Sequence, residues 1–269
     1  LKGDVLTVLE KQGLWKGSET TALAKPVNPQ EATDSITNLD EVKLPLTHDT
    51  HLQLRGYNRL MVSSMTQSIS IPHMVYSDEI DLSALKPTQL KFLPYLIKSV
   101  SKALEKYPIL NSSLQKDSIV LHTDHNFGIA IDTPLGLIVP VISLVIDLSI
   151  RQIGDELIRL KDLAYNGTLA QSDLEGATFT LSNIGAIGGG GTYMSPIITS
   201  QQVAIGAIGN IQRLPRFVSG DSDQVQEAQV CNISWAGDHR VVDGATMARF
   251  HSQVKDYLED QFYTIASNS

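Results

Sequence analysis

The chain has 269 residues, 42% hydrophobic and 19% charged, with a formal net charge of −8. That is enough chain for one globular core with a small extra element, and its acidic balance argues against broad electrostatic binding to nucleic acid. No apolar run of about 18 residues marks a membrane span, and the single cysteine, Cys231, excludes an internal disulfide framework or a thiolate zinc cluster and suits a reducing compartment.

Residues 1–13 read as a short amphipathic helix, with Val5, Val8 and Leu9 on one face and Gly13 as a stop. Charges interrupt its apolar pattern and no small-residue cleavage site follows, so it does not read as a secretory signal. Residues 14–45 are rich in Ser, Thr, Pro and acidic side chains, too polar to bury a core, and read as a linker. A large domain, 46–269, follows.

Within that domain, Leu93, Leu96, Ile97, Val100 and Leu104 recur on one helical face and stop before Pro108. A second helix opens on a capping-box pattern, Ser149 with Gln152, carries Ile153, Leu157, Leu160 and Leu163, and stops at Asn166-Gly167. A third carries Met247, Phe250, Val254 and Leu258. Between them "NFGIAID", "GLIVPVI", "ATFTLSN", "QQVAIGAIG" and "AQVCNISWAG" read as strands. "GLIVPVI" and "VAIGAIG" are apolar on both faces and are expected to be covered on both. The mixed order of helices and strands favours an α/β mixed-sheet sandwich.

Three stretches carry candidate chemistry. In "SWAGDHRVVDG" the strand runs out at Gly237, leaving His239 and Asp243 in the connection to the last helix. His239 there is either a base held at a pocket edge or a surface residue, and Asp243 either its support or a helix cap. In "FTLSNIGAIGGGGTY" the Ser182-Asn183 pair ends a strand and enters a glycine-rich loop, Gly185 to Gly191. The loop is no phosphate loop, because no lysine precedes Thr192. A wide hairpin explains its glycines but not the Ser-Asn pair. In "IDTPLGLIVPVI" Asp132 ends a strand before a tight turn, which an ordinary hairpin also explains.

These segments, with "VAIGAIG" and in their order along the chain, resemble the catalytic domain of dihydrolipoamide acyltransferases, the core components of 2-oxo acid dehydrogenase complexes. The His-x-x-x-Asp-Gly signature spans His239 to Gly244, and the likeness covers about residues 46–269. "AIGAIGNIQRLPRF" and "NISWAGDHR" are most similar to the branched-chain 2-oxo acid member. Residues 1–13 resemble the C-terminal helix of a peripheral subunit-binding domain, and a lipoyl domain lies outside this chain segment.

The resemblance implies a chloramphenicol acetyltransferase-like α/β fold, a mixed β-sheet sandwich flanked by helices and based on trimers. It implies transfer of an acyl group, such as 2-methylpropanoyl, from a dihydrolipoyl thioester to coenzyme A. His239 would deprotonate the thiol, Ser182 would stabilise the tetrahedral oxyanion and Asp243 would give support, which suits their chemistry. Coenzyme A contacts carry over onto Asp132, Ser182, Asn183, Gly209 and Ile211. No metal is implied. The family's site lies between two subunits, which allows Ser182 and His239 to come from different chains. Further implications are a 24-subunit cubic core, decarboxylase and dihydrolipoamide dehydrogenase partners bound through the subunit-binding domain, and the mitochondrial matrix or a bacterial cytoplasm. A structural core subunit without activity and a stand-alone small-molecule acetyltransferase are the rival readings.

The chain departs from the family at three places. Ala186 stands where the branched-chain members have serine, and Lys91 where a serine is expected. The stretch between Asp81 and Leu90 is too short for a charged helix that meets the coenzyme. If that helix is omitted rather than deleted, consecutive α-carbons between Ala84 and Leu90 would part by much more than about 3.8 Å. Of the remaining candidates, His122 and His125 lack a third metal ligand and read as a surface turn. Cys231 reads as a buried inert thiol rather than a partner for His239, and His251 as a partly buried structural histidine.

Overall fold

The computed structural model describes residues 56–83, 92–134, 136–188, 190–199, 201–217 and 223–267, with isolated positions before residue 56. The chain divides into two units, Leu1–Arg55 and Gly56–Ser269, and every element named below belongs to the second. The expected helix at 1–13, the linker at 14–45 and the short stretch between Ala84 and Leu90 lie outside the described residues.

Helix α1 (Gly56–Ser68) leads into strand β1 (His73–Asp81), and α2 (Phe92–Lys106) into a small hairpin of β2 (Ser112–Gln115) and β3 (Ser118–Leu121). Strands β4 (Phe127–Thr133), β5 (Gly136–Ile138) and β6 (Val141–Ile142) precede α3 (Ile150–Asn166). Then come β7 (Phe179–Asn183), β8 (Ala204–Phe217), β9 (Val225–Asp238) and α4 (Gly244–Ser267). Seven strands form one mixed sheet in the order β1-β9-β8-β7-β4-β5, with β6 also on β4. The β4–β7 and β7–β8 pairs are parallel and the others antiparallel. The mixed sheet with flanking helices is the expected fold class.

The three expected helices form for the expected reasons. Leu96, Ile97, Val100 and Leu104 of α2 are fully buried, as are Met247, Phe250, Val254 and Leu258 of α4. At the start of α3 the Ser149 hydroxyl accepts the Gln152 amide while the Gln152 side chain accepts the Ser149 amide. Gly167 ends that helix in the left-handed region at φ 66°, a conformation that favours glycine. All three helices contribute to one apolar cluster against Phe127, Phe179, Leu181, Ile233 and Trp235. Trp235 sits at its centre, edge-on to Phe250 with ring centroids 5.2 Å apart, and packs on the strand position of Gly206.

Because side chains alternate along a strand, Ser182 and Asp132 point to the sheet face away from this cluster. A smaller apolar group of Ile71, Ile198, Ile205 and Ala236 lies on that second face.

Two expectations are corrected. "GLIVPVI" is not one covered strand: Pro140 has no N–H to give a ladder, its carbonyl accepts the Ile129 amide at 2.8 Å, and the segment splits into β5 and β6. Leu137 within it is 52% exposed. His125 is not in a surface turn. It is buried, with Nδ1 2.8 Å from the Ser101 hydroxyl.

A Cβ on Gly206 would lie 2.5 Å from the Trp235 ring and 2.7 Å from Leu181. Gly206→Ala is therefore expected to lower unfolding free energy by about 1–3 kcal/mol, the ordinary cost of overpacking, measured by denaturant titration. A stability unchanged from the parent would show that the indole moves aside freely.

Candidate active site

The parallel strands β4 and β7 end beside the middle of β8, and five candidate residues lie there. Register pairs Ser182 with Ala130 on one side and Ala207 on the other, and Asn183 with Ile208. Two positions further along β4 is Asp132, exposed and paired across the hairpin with Leu137. Two positions beyond Ala207 on β8 is Gly209. There β8 gives two residues, Gly209 and Asn210, against Asn232 of β9, a β-bulge between Ile208 and Ile211. Ile211 leaves the bulge 47% exposed.

Glycines let the loop after Ser182-Asn183 lie directly on this bulge. A Cβ on Gly185 would overlap the backbone of Gly209 and Asn210, and one on Gly209 would overlap the Thr192 carbonyl. Gly191 adopts φ 83° and its carbonyl accepts the Asn210 amide at 2.9 Å. Thr192 Oγ1 donates to Asn210 Oδ1 at 3.2 Å and accepts from Gln212 Nε2 at 3.3 Å. By contrast, a Cβ on Gly188 or Gly190 would meet nothing within 4 Å. Packing within the chain thus explains Gly185, Gly191 and Gly209, and leaves the loop crest open for another body. Ala186, also on this loop, is exposed.

His239 and Asp243 lie at the other end of the sheet. The Asp238 amide donates to the Val203 carbonyl at 2.8 Å, and the His239 amide to the Pro72 carbonyl at 2.9 Å. Along β8, Val203 is four positions before Ala207, the partner of Ser182. Four strand rises are roughly 13 Å, and the two spacings from β9 to β7 add about 10 Å across. Ser182 and His239 of one chain therefore do not meet.

The His239 ring is oriented locally. Its Nδ1 lies 3.1 Å from the Val242 carbonyl, which can only accept. The proton is therefore on Nδ1 in the neutral ring, and Nε2 is left as the basic nitrogen. Asp243 caps α4: its Oδ1 accepts the Thr246 amide at 2.7 Å and its carbonyl the Met247 amide at 3.1 Å. The Thr246 amide and hydroxyl hold the Asp243 carboxyl below its ordinary value. Asp238 is 2% exposed and accepts the Arg240 guanidinium at 2.6–3.2 Å and the Arg240 amide at 3.0 Å. Burial pushes its carboxyl up, but the Arg240 contacts outweigh this and leave it below the usual range. In the sequence these two residues stand out only as charges flanking His239, with nothing to show that they pair with each other.

Cys231 is fully buried, and burial pushes its thiol up to about 12, so it is no nucleophile at neutral pH. Among the described residues no group of three His, Cys, Asp or Glu side chains is placed to hold a metal.

The family model for 2-oxoacid dehydrogenases acyltransferase (catalytic domain) matches residues 47–265. The chain belongs to this family. A relative in Mus musculus, the mitochondrial lipoamide acyltransferase component of the branched-chain α-keto acid dehydrogenase complex, is 41% identical over 284 residues. That match takes in 98% of this chain and 58% of the relative, so the chain spans under two thirds of the relative's length. Among solved structures, the cubic core of the pyruvate dehydrogenase multienzyme complex is 30% identical with a TM-score of 0.69, covering 77% of this chain and 91% of that one. The dihydrolipoamide acetyltransferase of Azotobacter vinelandii is 29% identical with a TM-score of 0.70, over 75% of this chain and 88% of that one. Its study concerns the role of a serine, a histidine and an asparagine in the catalytic mechanism.

Two histidines of this chain, His125 and His251, are held away from water. The Trp235 indole donates to His251 Nδ1 at 3.0 Å, and burial lowers the affinity of His251 for a second proton. His125 is lowered for the same reason. A depressed folded pKa contributes stability that is fully present above the unfolded value, about 6.5, and lost as pH falls through the folded value. Unfolding free energy is therefore expected to fall as pH drops below about 6.5. His251→Gln should flatten that slope; an identical slope in parent and variant would assign the acid sensitivity elsewhere.

Proposed function

We propose that this chain is the catalytic part of a lipoamide acyltransferase that moves a branched-chain acyl group, such as 2-methylpropanoyl, from a dihydrolipoyl thioester to coenzyme A. The observation that carries the reading is the imidazole of His239, held through Nδ1 beside a rigid strand end with no partner on Nε2 among the described residues, in a chain of this family. His239 Nε2 removes the proton from the coenzyme A thiol, which by itself is only a few per cent thiolate at neutral pH. The sulfur attacks the thioester carbonyl carbon, and the Ser182 hydroxyl donates to the oxyanion. Collapse expels the dihydrolipoyl sulfur, which takes the proton back from His239. Atoms and charge balance, and no metal or redox step enters.

The cluster at the carboxyl ends of β4 and β7 and the bulge of β8 fits coenzyme A, a substrate here. Asp132, Ser182 and Asn183 supply polar groups, Gly209 a close backbone approach and Ile211 an exposed apolar surface. The histidine and asparagine of the Azotobacter enzyme are four residues apart, the spacing of His239 and Asp243. Asparagine and aspartate are both good helix caps, so the role of Asp243 is to start α4 and thereby shape the turn that carries His239.

The separation of Ser182 from His239 supports a site shared between two copies of this chain. Exposed apolar side chains around the Ser182 half, among them Leu137, Ile187, Tyr193 and Ile211, suit an interface. Trimers arranged in a 24-subunit cubic core extend this reading, in keeping with the cubic core of the pyruvate dehydrogenase relative. Residues 1–13 are the end of a subunit-binding domain for the decarboxylase and dihydrolipoamide dehydrogenase, residues 14–45 a linker, and residues 46–269 the acyltransferase domain. The lipoyl group belongs to a domain outside this segment, and the mitochondrial matrix is the place that the mouse relative suggests.

His239→Ala should cut turnover by about 10²–10⁴-fold with little change in coenzyme A affinity. Ser182→Ala should cost about 10²-fold or more, in the chemical step. Turnover within a few-fold of the parent in both variants would remove His239 and Ser182 from the chemical step. Co-assembly of the two variants gives the test of the shared site. Random mixing in equal amounts should restore about a quarter of parental activity, because some interfaces then combine an intact serine with an intact histidine. No recovery in mixed assemblies would refute the shared site.

A further inference from the structure

The Asp238–Arg240 pair brackets the histidine, and its geometry is more than a surface ion pair. Asp238 is the last residue of β9 and is 2% exposed, whereas the Arg240 side chain is 45% exposed. The Arg240 Nε and a terminal nitrogen reach both Asp238 carboxylate oxygens at 2.6–3.2 Å, and the Arg240 amide donates to Oδ1 at 3.0 Å. The Asp238 carbonyl accepts the amides of Val241 and Val242 at 2.8 and 2.9 Å. One residue therefore closes the turn twice, through its backbone and through its side chain. His239 and Arg240 are the residues so enclosed.

That closure brings the Val242 carbonyl back over His239 Nδ1. A histidine tautomer is set by the hydrogen bond that the other nitrogen makes. We infer that Arg240 and Asp238 are positioning residues, whose clamp on the turn holds the Val242 carbonyl against Nδ1 and so keeps His239 Nε2 free of a proton. The inference rests on the reading of His239 as the base. A bidentate guanidinium fork is needed because it fixes two oxygens of a buried carboxylate at once, and an ammonium does not reproduce that geometry. Neighbouring charged and titratable groups are His73, which pairs with Asp238 across β1, and Asp243 at the cap of α4. His73 is occupied with backbone: its Nδ1 lies 2.8 Å from the Ile71 carbonyl and its Nε2 accepts the Ile198 amide at 2.9 Å.

The test compares Arg240→Met, Arg240→Lys and Asp238→Asn with the parent in the full chain. Two readouts are taken: steady-state turnover with coenzyme A, and nitrogen chemical shifts of ¹⁵N-labelled histidine, with the His239 signal assigned by its loss in His239→Ala. The parent should show His239 protonated at Nδ1 alone. Arg240→Met and Asp238→Asn should show a mixture of tautomers and a kcat lower by roughly 10- to 100-fold, the scale of a small misplacement of a reacting group, with KM for coenzyme A within about twofold. Arg240→Lys should fall short of full rescue in both readouts. Parental shifts in Arg240→Met would overturn the inference, as would a loss confined to KM. If Asp238→Asn does not fold, Arg240→Met decides alone, since its side chain is partly exposed. If His239→Ala keeps parental turnover, the base reading fails, while the tautomer signal still reports separately on the clamp.

Discussion

The contact on which both halves of the site depend is that of Trp235 with Gly206. An indole can lie against the neighbouring strand there only because β8 has no Cβ at that point. From this position Trp235 touches Phe179 of β7 and Phe250 of α4, and donates to His251. One side chain thus ties together the strand that ends in Ser182-Asn183, the strand that ends in Asp238 and the helix that starts after Asp243. The indole N–H is buried with a partner, as a buried donor should be. The acceptor is a histidine whose neutral form is favoured by the same burial. Apolar packing and a single polar contact therefore fix three elements in one register.

Once the sheet is rigid, it acts as a ruler. β7 runs parallel to β8 and ends beside Ile208, which places Ser182 and Gly209 toward one end of the sheet, while antiparallel β9 carries His239 to the opposite end. No loop within the described chain folds back to join them, because the His239 amide is held at Pro72 beside β1, on the far side of β9 from β7. The distance between the two functional groups is thus a property of topology and not of side-chain conformation. A chemistry that needs both groups at one carbonyl then needs two chains. In the proposed two-chain site, the exposed apolar side chains around Ser182 are what the second chain would cover.

The parts of the fold that were legible in the sequence are those whose burial is one-sided and strong. The stripes of α2 and α4, the capping box of α3 and the long apolar run of β8 all declare themselves by period or by turn chemistry. β1 did not, since Ser77, Asp78 and Glu79 interrupt any alternation. It lies at the edge of the sheet, where polar residues are tolerated and protect against edge-to-edge pairing. α1 was equally silent because most of its face is exposed, with Leu60 at 65%, and no stripe separates core from solvent. The split of "GLIVPVI" was hidden because Pro140 was read as part of an apolar run rather than as a residue without an N–H. At the site, the Ser-Asn pair and the histidine stood out as residue types. The distance between them did not, because it depends on strand order across β9, β8 and β7.

The histidine turn shows how two aspartates of similar sequence context acquire different work. Asp243 is exposed and satisfied by amides at the start of α4, a contact that asparagine also makes. Asp238 is buried, and a buried carboxylate without a cation is costly. Its partner is an arginine two residues on, so the charge that makes burial possible also closes the loop around His239. Histidine is the one residue in that loop whose chemistry depends on which ring nitrogen carries the proton. A turn held only by solvent-exposed contacts would let the ring sample both tautomers. A turn anchored to a buried carboxylate does not, and the electrostatic cost of burying Asp238 is thereby converted into the orientation of the imidazole.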